Sequence, residues 1–404
     1  MSGITGMGTT FNLPNYHGEL FAITPSDTPL LSAIGGLTGG GMASSTEFEW
    51  QAYDLRDPAQ RVQVEGAPAP TADNRVRSNV RNVCQIHQET ASVSYTKQST
   101  PGMAASPSAA PYREPDGTNP VTNELDWQVQ QKLKEIALDV NWSFINGQYA
   151  NPTSNASARK TRGLLQAIET NVVDNASSTI TGLSATGSTD SIAETGTALA
   201  NGDIIVFTAT GTTGLVAGRR YYVVGKTTDA FKVSTTSGGA AVDIADSTSD
   251  VAYSVPSTSD LTVDDIDGFV QQVYDNGGLT GGVATFLVNS SGKRSITKAY
   301  ASAYGKQINL IQGNIAGVSV TKIETDFGVL NIMLDRHVPQ DALILLTLDQ
   351  LKPVFLNVPG KGVFFEEPLA KTGASDDVQI YGEIGLAYGN EMAHGVLRGN
   401  KVTA

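Results

Sequence analysis

The sequence predicts a mixed fold, α/β or α+β, with helices laid against a central sheet and a small all-β module interrupting it. Three observations carry this. From Asn123 to Asn146, Leu125, Val129, Leu133, Ile136, Val140 and Phe144 recur at steps of four, four, three, four and four. At about 100° per residue they form one apolar stripe. From Val263 to Leu348, helical and strand patterns alternate, which asks for helices on a sheet. Between Ala176 and Ser257 the chain turns Ser/Thr/Gly-rich, with short β runs and turn residues about every 8–12 positions, the pattern of an inserted β module.

In chain order, residues 1–44 are punctuated by Gly, Thr and Pro and read as an extended arm, with one short helix over Thr28–Ile34 stopped by Gly35-Gly36. Residues 45–97 hold two strand-like stretches, Thr46–Tyr53 and Arg75–Tyr95, around a Pro/Ala/Gly-rich tip. That is a protruding two-stranded ribbon, which is marginal in water without a partner surface. Residues 97–120 read as a structureless surface excursion.

The long helix follows. Asn123 suits its N-cap, Glu124 and Asp126 complement its positive end, and Gly147 stops it. Lys134, Gln130 and Asn141 are placed opposite the stripe. Trp127 and Trp142 lie off it, so a second face is expected to meet something. A short ordered element at Gly163–Thr170 leads into the β module (Asp203–Thr208, Arg220–Val224, Phe231–Ser234 and Val251–Val255). Thereafter a helix over Val263–Tyr274, a strand over Ala284–Val288, a helix near Ser290–Tyr304, and strands over Val318–Glu324, Leu330–Asp335 and Ala342–Leu348 are expected. Strands return over Gly362–Lys401, so segments before and after the module belong to one sheet-and-helix unit.

Composition narrows the function. The net charge is −13, which argues against a general nucleic-acid binder, because phosphate contacts need clustered Lys and Arg. The single cysteine, Cys84, excludes an internal disulfide framework. No apolar run of about 18 residues offers a membrane span, and the first residues lack the basic and apolar regions of a signal peptide.

Enzyme constellations are not found. His17, His87, His337 and His394 are scattered, with no HExxH or His/Cys cluster, so each is expected to be an ordinary surface or interface residue. Cys84 and His87 fall on opposite faces of a strand, which makes Cys84 a buried structural thiol rather than a nucleophile. The glycine-rich stretches Gly35–Gly41 and Gly277–Gly282 match no phosphate loop, and there is no GxSxG elbow. Asp264, Asp265 and Asp267 sit in a helix's first turn, where the macrodipole explains them. No cofactor is implied.

One charged set stands out. Arg56 and Arg61 lie near the ribbon tip, and Arg75, Arg77 and Arg81 share one face of a strand. A row of guanidinium groups on an acidic protein suits bidentate pairing with carboxylates of a neighbouring copy. A solvated edge that blocks aggregation explains it equally well.

This order of parts resembles the major capsid proteins of tailed bacteriophages, the Hong Kong 97 type fold. ITPSDTPLLSAIGG in the arm and FINGQYANPTSNASARKTRGLLQAIETN after the helix are similar to capsid relatives. The insert NGDIIVFTATGTTGLVAGRRYYVVGKTTDAFKVSTTSGGAAV is similar to small β modules of phage virion proteins.

The resemblance implies an α+β, Hong Kong 97-like capsid fold carrying an Ig-like β-sandwich insertion. Its parts would be an arm at 1–44, an extended loop at 45–97, surface loop, spine helix and peripheral domain at 98–175, the β module at 176–257, an axial domain at 258–355 and returning peripheral strands at 356–404. It implies a non-enzymatic shell protein that forms pentamers and hexamers around double-stranded DNA without reading its sequence. Arg56, Arg61, Arg75, Arg77, Arg81, Trp127 and Trp142 are the candidate intersubunit contacts. Scaffolding, portal and decoration proteins are the implied partners, with no membrane; the implied location is the virion, assembled in the host cytoplasm.

Some relatives crosslink through an extended-loop Lys. Here the ribbon's lysine is Lys97, at its base, so no such crosslink is expected. Met1 suggests a separate scaffold or none. The alternatives are a tail or surface protein whose module grips host glycans through Tyr221, Tyr222, Phe231 and Tyr253, and a hydrolase using Ser and Asp residues of the middle region.

Overall fold

The computed structural model describes residues 25–99, 124–154, 156–211, 214–279, 284–308, 322–371 and 373–402. The glycine-rich leader, most of the 97–120 excursion and the Asn123 cap lie outside them. In chain order the elements begin with helix α1 (Pro29–Ile34), strands β1 (Gly41–Ala43), β2 (Glu47–Tyr53), β3 (Arg77–Val83) and β4 (Gln85–Ser94), helices α2 (Tyr95–Ser99), α3 (Glu124–Asn146) and α4 (Leu164–Ala167), and β5 (Val172–Asp174). The module holds β6 (Ser178–Thr186), β7 (Ser191–Ala193), β8 (Ile204–Ala209), β9 (Arg220–Val224), β10 (Ala230–Ser234) and β11 (Thr248–Val255). Then come α5 (Val263–Asp275), β12 (Ala284–Val288), α6 (Ser290–Ile308), β13 (Lys322–Thr325), β14 (Gly328–Leu334), β15 (Leu343–Thr347), β16 (Lys352–Leu356), β17 (Phe364–Pro368), β18 (Ser375–Ala387) and β19 (Gly395–Arg398).

These residues form two compact units. The smaller draws on Gln88–Ile136 and Phe364–Tyr381, and the larger on Asp27–His87, Ala137–Val363 and Gly382–Ala404. In the smaller unit β17 pairs with β18. Tyr95 N–H donates to Ala374 O at 3.1 Å, and Lys371 Nζ reaches Asp376 at 2.8 Å and the Tyr95 hydroxyl at 2.9 Å. On α3, Lys132 bridges Glu89 and Glu135.

The larger unit is built on a six-stranded sheet of order β13-β14-β12-β15-β19-β5. All residues of β12 and β15 are buried, as continuous apolar runs at the centre of a covered sheet should be. Helix α5 starts with a complete capping box: Thr262 Oγ1 accepts from Asp265 N–H, and the Asp265 carboxylate accepts from Thr262 N–H. Its Ile266, Phe269, Val270 and Val273 pack with Phe286, Val288, Leu343, Leu345 and Leu397 of the sheet and with Ile296 of α6. Strand β5 precedes the module and β19 follows everything else, yet the two pair in parallel. The segments flanking the module therefore share one sheet, as the sequence predicts. In the 356–404 segment β18 pairs with β16 while β19 joins the six-stranded sheet.

The module differs from the sandwich expectation. Its strands run β10-β7-β6-β11-β8-β9, and β9 returns to β10, closing a barrel. The register shifts along β11 at Thr248/Val251 and Val251/Tyr253 mark bulges that bend this strand enough to pair with both β6 and β8. Phe207, Tyr221, Phe231 and Tyr253 fill the interior, Phe231 and Tyr253 meeting edge-to-face at 5.6 Å. Three of the four aromatics offered for glycan binding are thus core residues, buried to within 1 % exposure.

Two further expectations are corrected. The strand read over Arg75–Tyr95 is two strands that change partner at Cys84: β3 pairs with β2, and β4 with β18. Asn141, placed on the polar face of α3, is fully buried, while Leu133 of the apolar stripe is exposed. Val129, Ile136, Val140 and Phe144 are buried as predicted.

Candidate assembly surface

Strands β2 and β3 pair antiparallel from Glu47↔Val83 to Tyr53↔Arg77 and form a sheet of their own. A two-stranded ribbon has too little apolar area to stand alone, so its base must be pinned. Trp50 Nε1 donates to Gly389 O at 2.7 Å, and its ring meets Tyr388 edge-on at 4.8 Å. Phe48 stacks beside Trp50 at 6.1 Å. A Cβ on Gly385 would stand 2.6 Å from Val83 O and 2.7 Å from the Phe48 ring, so only glycine lets β18 approach the ribbon this closely.

Asn82 completes the anchor. Fully buried, its amide donates to Leu386 O at 2.7 Å and Arg162 O at 3.1 Å, while Oδ1 accepts from Arg162 N–H at 2.8 Å and Val83 N–H at 2.9 Å. Arg162 lies over the Tyr149 ring and donates to the Tyr388 hydroxyl. Its neighbour Thr161 is buried, with its backbone N–H on Gln85 Oε1. The Thr-Arg-Gly passage after the long helix is therefore the socket of the ribbon.

Beyond the last strand pair, residues 54–76 have no regular secondary structure. Tyr53 at the last strand pair, and Leu55, Val62, Val64 and Val76 beyond it, are 68–85 % exposed. Five large apolar side chains are thus exposed along the ribbon and its tip. Arg56, Arg61, Arg75, Arg77 and Arg81 are all exposed. Arg61 donates to Asp57 O at 3.3 Å, and Arg75 pairs with Asp73. Strand β3 starts only at Arg77, so the row of three becomes Arg77 and Arg81, with Arg81 3.6 Å from Glu47. Trp142 is exposed and Trp127 half-buried.

A family model described as SU10 major capsid protein matches residues 3–401. The chain belongs to this family. Its function is accordingly that of a major capsid protein of a tailed phage, in the virion, associating with copies of itself into capsomers. A comparison with curated proteins found no match. Among solved structures, the chain is similar to a protein of the cyanophage A-1(L) capsid asymmetric unit, at 10 % identity and TM-score 0.53 over 96 % of this chain and 97 % of that one. It is likewise similar to one from the capsid of a native GTA particle, at 12 % identity and TM-score 0.50 over 99 % of each. Both show the fold, Hong Kong 97-like α+β.

Sequence reasoning missed the capsid protein's main polar hub. Asn141 Oδ1 accepts from Leu31 N–H at 3.0 Å, and Nδ2 lies 2.8 Å from both Asp335 Oδ2 and His337 Nδ1. Asp335 Oδ1 accepts from His337 N–H at 2.9 Å. Burial works to raise the Asp335 carboxyl, but the hydrogen bonds from His337 and Asn141 outweigh it and hold it below its ordinary value. One residue thereby joins the arm helix α1, the long helix and the sheet.

Two histidines of the capsid protein contradict the surface expectation. His394 is fully buried: Nδ1 accepts from Thr347 N–H, so Nε2–H donates to Tyr388 O at 2.9 Å, which fixes a neutral tautomer. His87 is buried too, and burial pulls its ring down to about 4. Cys84 is the structural thiol the sequence predicts. Burial, then the nearby Glu383 carboxylate, against Arg159, push it up to about 12. Among the described residues, no group of three His, Cys, Asp or Glu stands where it could hold a metal ion, and no helix is long and apolar enough to cross a membrane.

Proposed function

We propose that many copies of this chain tile into the pentamers and hexamers of an icosahedral shell around double-stranded DNA, a mechanical role with no catalytic step. The observation that carries this reading is the ribbon: rigid at its base through Trp50 and Asn82, apolar and exposed at its tip. In this reading 1–44 is the arm and 45–97 the extended loop that overlaps a neighbouring copy. Residues 98–175 hold the spine helix and peripheral parts, 258–355 the axial domain and 356–404 returning strands. The 176–257 barrel projects outward. Arg56, Arg61, Arg75, Arg77, Arg81, Trp127 and Trp142 then face the neighbour. Each contact is weak, but every copy makes several, and multivalency tightens the whole. The acidic balance keeps the inner wall from gripping DNA. Scaffolding, portal and decoration proteins are the further partners, and assembly takes place in the host cytoplasm.

Negative-stain microscopy of purified full chain tests the reading. Closed shells are expected from the wild type. A Leu55→Glu, Val64→Glu double variant is expected to give folded subunits without shells. Shells formed equally well by that variant would remove the ribbon from the mechanism.

A further inference from the structure

The ribbon tip holds a stretch written for a strand, with no strand beside it. Residues 61–65 read Arg-Val-Gln-Val-Glu, so Val62 and Val64 alternate with Arg61, Gln63 and Glu65. Pro58 before the run, and Gly66, Pro68 and Pro70 after it, bound it on both sides. Period two with β-branched residues between breakers is a strand pattern. Yet all five residues are exposed and none lies in a strand. Among the described residues, Val64 O, which accepts from Ala67 N–H at 3.1 Å, is the only backbone group of the run in a hydrogen bond.

Such a run is completed by the edge of another sheet, where main-chain hydrogen bonds hold it and side chains choose the partner. Strand β17 is such an edge: it pairs with β18 and, among the described residues, with no other strand. It is five residues long, matching the run, and its Glu366 and Glu367 are exposed. Their charge complements Arg61 and the nearby Arg56. Other edges fit less well. Strands β1 and β5 have three residues each, β13 sets Lys322 beside Glu324, and on β4 Glu89 already pairs with Lys132.

We propose that residues 61–65 of one copy add as an antiparallel strand to the β17 edge of a second copy, an inference that rests on reading the ribbon as an intersubunit loop. With Arg61 opposite Glu367, Gln63 meets Phe365, Val64 meets Phe364, and Glu65 is carried past the glutamates. A parallel strand starting at Phe364 would instead lay Glu65 against Pro368, beside Glu367. Opposite charges and aromatic with β-branched pairs across strands are stabilising, and like charges are not. A carboxylate has about four acceptor sites, so Glu367 takes Arg61 alongside any partner in its own chain. Pro368 has no N–H and ends the ladder just beyond Arg61. Two β17 edges brought together would oppose their glutamates, which keeps the edge open for the ribbon.

Disulfide trapping in assembled shells tests this, and the buried Cys84 does not interfere. An Arg61→Cys, Glu367→Cys double variant, oxidised in the shell, is expected to run on a denaturing gel as covalently joined subunits. An Arg61→Cys, Glu324→Cys variant, with its second cysteine on the β13 edge, should cross-link at least about tenfold less. Where the double variant does not assemble, residue-resolved hydrogen exchange on wild-type shells decides. Only every other N–H of an added strand points into the ladder, so protection should alternate along residues 61–65, by about tenfold or more between neighbours. Equal or stronger cross-linking through Glu324→Cys, or a link closed within one chain, overturns the proposal. Protection without alternation overturns strand addition but leaves the ribbon as an intersubunit contact. A wild-type chain that forms no shells removes that underlying reading as well.

Discussion

The Asn141 side chain donates to the Asp335 carboxylate at 2.8 Å across 194 residues of sequence, both groups being buried. This bond, with the one from Leu31 N–H to Asn141 Oδ1, is where arm, long helix and sheet are tied together. Replacing Asn141 by Leu leaves a buried carboxylate and a buried N–H without this partner. The expected loss is about 3 kcal/mol, read by denaturant unfolding of dispersed subunits. A loss under about 1 kcal/mol would mean the hub is incidental.

The ribbon anchor is separable from the ribbon tip. Trp50→Ala removes the hydrogen bond to Gly389 O and the edge contact with Tyr388. About 2 kcal/mol of local stability is expected to go with them. Exchange of the β2–β3 amides should accelerate, while α5 and β12 stay as protected as before. Phe at the same position, keeping the ring but not the indole N–H, should fall between the two.

His87 makes the subunit sensitive to acid. Its folded value, about 4, lies below the ordinary 6.5 because burial disfavours the charged ring. A group depressed in the folded state binds fewer protons there than when unfolded. Stability is therefore full above about pH 6.5 and falls as pH drops towards 4, by at most about 3 kcal/mol. His87→Gln should flatten this limb in a pH series of melting curves.

Cys84 should be chemically silent. A buried thiol held up to about 12 offers almost no thiolate at pH 8. Thiol titration should find no reactive group in native protein and one per chain after denaturation. Rapid labelling of the native protein would place Cys84 at the surface and contradict the packing of β3 into β4.

What the sequence made legible is what periodicity reports. The long helix, α5, β12 and β15 declare themselves by spacing or by unbroken apolar runs. The ribbon declares itself by two strands around a tip. Alternation cannot show a change of partner, so β3 and β4 read as one strand across Cys84. Nor can it separate a sandwich from a barrel, because both alternate in and out; the bulges of β11 decide closure. Polar residues are counted outward by default, which misplaced Asn141, whose burial depends on partners 110 and 194 residues away. The anchor Trp50 escaped for the same reason, since Gly389 lies 339 residues downstream. Buried polar groups that specify a fold through distant partners leave no local pattern.

The central claim is that the ribbon tip is completed by a neighbouring copy. Hydrogen exchange over residues 54–76, compared between dispersed subunits and assembled shells, tests it most directly. The tip amides should exchange at near-unfolded rates in the solitary chain and slow by at least about a hundredfold in the shell, where each loses water to a partner. Equal rates in both states, or full protection in the solitary chain, would contradict the account.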